Sequence, residues 1–102
     1  MYMYAPHTYC MIRSWGNRAT REIFEGYFVR GLAHDVQRRA ERRLRVLHRA
    51  ADLGDLSGVP SMRLEKLQGM DGRWSIRIND QWRITFQWVA GDAWNVLIED
   101  YH

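Results

Sequence analysis

The stretch WSIRINDQWRITFQWVAGDAWNVLIEDYH, residues 74–102, decides the fold. Its apolar residues recur at every second position, the period of a strand with one face against a core. Trp74, Ile76 and Ile78 alternate with Ser75, Arg77 and Asn79, and Trp82, Ile84, Phe86 and Trp88 alternate with Arg83, Thr85 and Gln87. Asn79-Asp80 and Ala90-Gly91-Asp92 interrupt the runs with residues suited to tight turns. In the last run Trp94, Val96 and Ile98 share a parity with Asp100, while Asn95, Leu97, Glu99 and Tyr101 face the other way. Three successive strands joined by hairpins are expected.

Working upstream, Met62 and Leu64 alternate with Arg63 and Glu65 from Ser61 onward, which predicts one more strand before Gly69 to Gly72 turns the chain. Asp52 to Pro60, with its glycines, aspartates and proline, reads as a loop. Before it, Val36, Ala40, Leu44, Leu47 and Ala51 recur at helical spacing and predict a helix over about Ala33 to Ala51. A shorter helix, capped by Asn17 or Thr20, carries Ile23, Phe24, Tyr27 and Phe28 and is expected to stop at Gly31. Met11 to Trp15 reads as an edge strand, and residues 1–10 as a flexible extension ahead of a domain spanning 11–102.

Counting surfaces gives the architecture. Two N-terminal helices suffice to cover one face of a mostly antiparallel sheet of four to five strands, an α+β fold with the other face open. The open face is expected to carry Arg63, Glu65, Arg73, Arg77, Arg83, Thr85, Gln87 and Tyr101 as a polar, net-positive platform.

At 102 residues the chain is one domain, since a second would be too small to bury its own core. No apolar run approaches a membrane span and the N-terminus lacks the order of a signal peptide, so a cytoplasmic location is expected. The single cysteine, Cys10, cannot pair internally, and no Cys/His set has zinc-ligand spacing, so neither metal nor cofactor is expected. The net charge of +3 is unevenly spread: residues 11–49 hold ten arginines against four acids. On the longer helix Arg38, Arg42, Arg45 and Arg49 gather opposite the apolar side. Spacing leaves three readings of that face open: a solvated surface, a dock for an acidic partner, or a contact for structured RNA.

The chain closes on Asp100, Tyr101 and His102, a carboxylate, a phenol and an imidazole. Metal-free RNA cleavage needs a base to activate the ribose 2′-hydroxyl, an acid for the departing 5′-oxygen and cations for the phosphorane-like charge. His102 can serve as acid or base, Asp100 can orient it, and Tyr101 can hydrogen-bond or stack on a base. Arg77 and Arg83, of like parity on neighbouring strands, are candidates for a phosphate clamp. The competing reading is structural, because terminal residues commonly fray and strand-end polar residues commonly do no chemistry.

The order Met11-Ile12-Arg13-Ser14-Trp15, two helices, Arg63-Leu64-Glu65-Lys66-Leu67-Gln68-Gly69, the run from Gly72 to Phe86, and terminal Glu99-Asp100-Tyr101-His102 resembles the HigB branch of the RelE/ParE toxin superfamily. The resemblance covers residues 11–102. It implies a RelE-like fold and a toxin of a type II toxin-antitoxin system that cleaves mRNA on the ribosome and is neutralised by a helix-turn-helix antitoxin of the HigA kind. It further implies catalytic roles for Asp100, Tyr101, His102 and Arg83, with RNA contacts from Arg73, Arg77, Glu65 and Gln68. Some members carry a histidine where Glu65 aligns and a lysine where Gln68 aligns, which leaves the general base open. Two alternatives stand beside this one: a non-enzymatic ParE-like toxin that blocks DNA gyrase, and a simple RNA-binding module.

Overall fold

The computed structural model describes residues 11–69 and 72–100. Within them the chain forms α1 (Arg18–Phe24), α2 (His34–Arg49), α3 (Leu53–Ser57), a 3-10 turn (Pro60–Met62), β1 (Glu65–Lys66), β2 (Arg73–Arg77), β3 (Trp82–Val89) and β4 (Asp92–Asp100). The four strands pair antiparallel in chain order, so hairpins and not crossovers build the sheet, as the alternation of residues 74–102 predicts. Met11 to Trp15 lies along the outer edge of β4, but parallel to it and only through the bridges Ile12–Ala93 and Trp15–Val96. The α+β class therefore holds, with a mixed edge where that segment joins.

The helices cover one face. Leu44 and Leu47 of α2 meet Ile23 of α1 and Ile76, Ile84 and Phe86 of the sheet in one core, all essentially excluded from water. Asn17 caps α1, its side-chain oxygen accepting from the Thr20 N–H at 2.9 Å. That helix is shorter than its periodicity predicts. It ends at Phe24, and Gly26 takes a left-handed φ of 95°, so the helix stops at Gly26 and not at Gly31, which makes a second turn with φ 89°. Tyr27 and Phe28, expected on the apolar side, stand 66% and 63% exposed in the following loop. The loop is pinned by buried Gln37, whose amide donates to the carbonyls of Val29 (2.7 Å) and Leu32 (2.8 Å) and accepts from the Val29 N–H (2.9 Å). Those bonds satisfy backbone groups that a longer helix would have paired internally.

Three further segments depart from the alternation. Ala51 is exposed, and Ala50, just past the end of α2, occupies the core instead. The stretch read as a loop holds α3, because Asp52 accepts from the Asp55 N–H (3.1 Å) and nucleates a short helix that buries Leu56. The strand expected from Ser61 shrinks to the two residues of β1: Met62 sits in the 3-10 turn and Arg63 has φ 45°, which takes Arg63 off the sheet face.

The last strand carries a bulge. Thr85 pairs with Leu97 and Gln87 with Trp94, so two residues of β4, Asn95 and Val96, oppose Phe86 alone. Asn95 adopts the left-handed φ of 52° that lets the extra residue fit. Its side chain donates to Gln87 (2.6 Å) and its N–H to the Ser14 hydroxyl (2.8 Å). The bulge reverses the parity expected for Trp94: it shares a face with Gln87, away from the helices, and Ala93 takes the buried place.

His48 of α2 links the edge segment to the core. Its Nδ1 accepts from the Ile12 N–H at 3.1 Å, and its ring stands edge-on to Phe24 at 5.4 Å. That bond requires the neutral ring with the proton on Nε2. Burial pushes the His48 pKa below 6.5, and neighbouring Arg49 pushes the same way. The unfolded chain thus takes up a proton at a higher pH than the folded one, so stability is full above the usual histidine value of about 6.5 and declines as pH falls below it. Thermal midpoints measured across that range should drop on the acid side, and His48→Gln should flatten the decline. In the core, Leu44→Ala should cost about 2–5 kcal/mol, read from the urea midpoint at constant m-value.

Candidate active site

The uncovered sheet face is arranged in three cross-strand rows. At one end Arg77, Arg83 and Glu99 lie in register across β2, β3 and β4. The middle row is Glu65, Ser75, Thr85 and Leu97, and the far row Arg73, Gln87 and Trp94. Successive rows are about 7 Å apart along the strands. Asp100 closes β4 at the first end, opposite Trp82, on the parity of the helix-covered face; it is exposed and accepts from the Gln81 amide at 3.0 Å. It lies at the rim of the sheet, on the parity that the sequence predicts.

This face is not the solvated platform that its polarity suggests. Ser75 is 0%, Thr85 4% and Arg83 9% exposed. Long charged side chains fold across the rows and cover them. Arg83 reaches from its row to Glu65, Nη1 to Oε1 at 3.1 Å. Arg73 reaches inward from the far row, Nη2 donating to the Thr85 hydroxyl at 2.8 Å and to the Asn95 carbonyl at 3.1 Å. The Thr85 hydroxyl in turn donates to the Glu99 carboxylate. Burial pushes the Arg73 guanidinium below its ordinary value, and the Glu99 carboxylate opposes that shift. A buried cation is tolerated only when hydrogen bonds and counter-charge replace its water, and here Glu65 and Glu99 supply them.

The residues singled out from the sequence therefore separate into groups. Glu65, Arg73 and Arg83 meet on one face. Arg77 lies on the same face but turns to Asp80 in the β2–β3 hairpin. Gln68 is exposed in the turn after β1, at the far-row end and remote from Asp100. Arg38, Arg42, Arg45 and Arg49 belong to α2, on the other side of the sheet; Arg45 is bound to Glu41 at 2.9 Å and lies over the Phe24 ring at 5.6 Å. Tyr101 and His102 lie outside the described residues. Sequence reasoning missed Glu99 as part of the site. Its signal was its parity, shared with Tyr101 and opposite that of Asp100.

Four hairpin-built strands under N-terminal helices, with arginines and acids on the uncovered face, define a RelE-like toxin class of fold. The family model of the RelE-like toxin of type II toxin-antitoxin system HigB matches residues 21–102. The chain belongs to this HigB-like toxin family, whose members are the toxins of type II systems and have an antitoxin as partner. It is 37% identical over 94 residues to the Endoribonuclease HigB of Proteus vulgaris, covering 90% of this chain and 100% of that protein. It is also 41% identical over 61 residues to the Toxin HigB-1 of Vibrio cholerae, covering 59% of this chain and 64% of that one. Among the described residues no helix is long and apolar enough to cross a membrane.

The Thr85 hydroxyl is the joint through which Arg73 and Glu99 are held. Thr85→Val keeps the volume and removes the joint, leaving two charged groups short of a partner. The expected cost is about 1–3 kcal/mol in the urea midpoint, and an unchanged midpoint would mean that the hydroxyl only fills space.

Proposed function

We propose that this protein is an endoribonuclease toxin that cuts mRNA on the ribosome by metal-independent acid/base catalysis. The observation that carries the reading is the placement of Arg83, buried in the central strand of the uncovered face and one row from the β4 end that bears Asp100. Similarity to the Endoribonuclease HigB of Proteus vulgaris over nearly the whole chain supports the reaction class.

The chemistry proposed is attack of a ribose 2′-hydroxyl on the adjacent phosphorus. The O2′–P bond forms, the P–O5′ bond breaks, one proton leaves O2′ and one arrives at O5′. An arginine cannot give up its proton in this setting, so Arg83 acts by stabilising charge on the phosphorane oxygens. Proton transfer then falls to the terminal residues. His102 is suited to either direction near neutral pH, Tyr101 to hydrogen bonding or stacking, and Asp100 to orienting the imidazole from the rim. Arg73, Arg77, Glu65 and Gln68 are proposed to line the path of the RNA. The sequence supports metal independence through its lone Cys10 and the want of zinc-ligand spacing.

The same reading gives the protein a helix-turn-helix antitoxin of the HigA kind, the ribosome and mRNA as partners, and the cytoplasm as its place of action. The exposed arginines Arg38, Arg42 and Arg49 offer a surface for one of these partners.

Incubation with translating ribosomes and a defined mRNA, mapped by primer extension, should yield discrete cuts. Deleting His102 should lower the rate by roughly two to four orders of magnitude, the usual scale for loss of an acid/base group. Intact mRNA, or cleavage that survives the deletion unchanged, would overturn the proposal.

A further inference from the structure

A second concentration of positive charge lies where α2 meets the end of β2. Arg39 and Arg43 are one turn apart and do not belong to the row formed by Arg38, Arg42, Arg45 and Arg49. Arg39 Nη1 donates to the carbonyl of Ile78 at 3.2 Å, which fixes this row against the strand end beside Arg77. Arg77 is in register with Arg83. Arginine positions therefore lead from the uncovered face, through Arg83 and Arg77, to the sheet rim, where Arg77 lies close enough to Arg43 of the helix to repel it.

Counter-charge does not follow them. Among the described residues Arg39, Arg42 and Arg43 enter no ion pair, and Arg77 is joined to Asp80 alone. The Asp80 side chain is 99% exposed, and an exposed pair of that kind contributes little and is readily exchanged for another anion. The Arg43 Nε is buried and has no hydrogen-bond partner among the described residues. Burial, followed by the nearness of Arg39, Arg42 and Arg77, pushes the Arg43 guanidinium below its ordinary value. Cations crowded in this way are relieved by a bound anion.

We propose that Arg39, Arg43 and Arg77 form a phosphodiester-binding site that carries a single-stranded RNA backbone off the uncovered face and around the sheet rim toward α2. The planar fork of arginine suits phosphate oxygens, and a row of such forks suits a chain of phosphates. An acidic protein segment fits less well. The centre of a protein interface is anchored by buried aromatic or aliphatic side chains, but the exposed apolar side chain on this row is the small Val46, while the aromatics Tyr27 and Phe28 line a depression with His34, Arg38 and Glu41, and Phe28 packs on His34. The inference rests on the endoribonuclease reading for its choice of RNA, but its test does not depend on cleavage.

The probe is a fluorescent single-stranded RNA with 2′-O-methyl groups, which lacks the attacking hydroxyl and stays intact. Anisotropy titrations at several salt concentrations give the affinity and the number of phosphates engaged. The double variant Arg39→Gln/Arg43→Gln should bind at least about tenfold more weakly, with a salt slope smaller by about 1.4, since each phosphate contact on a single strand contributes about 0.7. Arg39→Lys/Arg43→Lys, which keeps charge and stem, should recover most of the slope and shows that a loss in the Gln pair is not misfolding. Arg18→Gln/Arg21→Gln removes equal charge from α1 and should leave binding nearly unchanged. Equal weakening by the α1 pair, unchanged affinity in the α2 pair, or a loss confined to duplex RNA would overturn the site. Loss of binding to an oligoglutamate peptide with RNA affinity retained would overturn it in favour of an acidic protein. Wild-type protein that binds the probe but never cuts mRNA would count against the proposed reaction alone.

Discussion

β3 is buried on both faces, and the rest of the molecule is arranged to allow it. Ile84 and Phe86 press against α2, whereas Arg83 and Thr85 point the opposite way and are almost as inaccessible. Apolar burial needs only shape, and α1 and α2 provide that. Polar burial needs partners, because an unpaired buried cation or hydroxyl costs more than its neighbours can return through packing. The second requirement decides where Glu65, Arg73 and Glu99 must lie, and it ties the two-residue β1 to the sheet through the Glu65–Arg83 pair. A network of this kind orients charge in advance. It holds a guanidinium in one place without borrowing order from a ligand.

Much of this was legible in the sequence because period-two patterning is a direct readout of a two-faced sheet. β2, β3 and the hairpins follow from it, as the apolar face of α2 follows from helical spacing in Val36, Ala40, Leu44 and Leu47. What escaped the pattern was settled by single backbone positions or distant side chains. Tyr27 and Phe28 continue a helical period, yet Gly26 and the reach of Gln37 to Val29 and Leu32 take the chain elsewhere. Trp94 keeps strand parity on paper, yet Asn95 in a left-handed conformation inserts one residue and turns Trp94 to the other face. Periodicity counts residues and cannot register an insertion that leaves composition unchanged.

The site was legible in a different sense. Residue types pointed to Arg77 and Arg83 and the resemblance to Arg73 and Glu65, and the strands place these on one face, where Arg83 pairs with Glu65 and Arg73 with Thr85. Burial was not legible. Arginine, threonine and serine on an uncovered face read as a solvated surface, because the covering comes from other side chains of that same face and not from a helix that could be counted. Glu99 went unnoticed for the same reason, since its importance lies in Thr85 and Arg73 across the sheet and not in its neighbours along the chain.

The two sets of α2 arginines show why charge must be read in three dimensions. One row faces away from the core and includes Arg45, which is held by Glu41 and by the Phe24 ring. The other, Arg39 and Arg43, is only one residue out of step, yet it lands against the β2 end beside another arginine. A rotation of about 100° separates a solvated row, screened over roughly 10 Å by salt, from one in which Arg43 is partly desolvated and repelled by Arg39, Arg42 and Arg77, a repulsion that salt screens less. Repulsion among fixed, partly buried cations works against folding, and no titration can relieve it, because arginine stays charged at any pH that a cell meets. Such a cluster is stable in the free protein only because the core on the other side of α2 outweighs it, and the binding of an anion returns the difference as affinity.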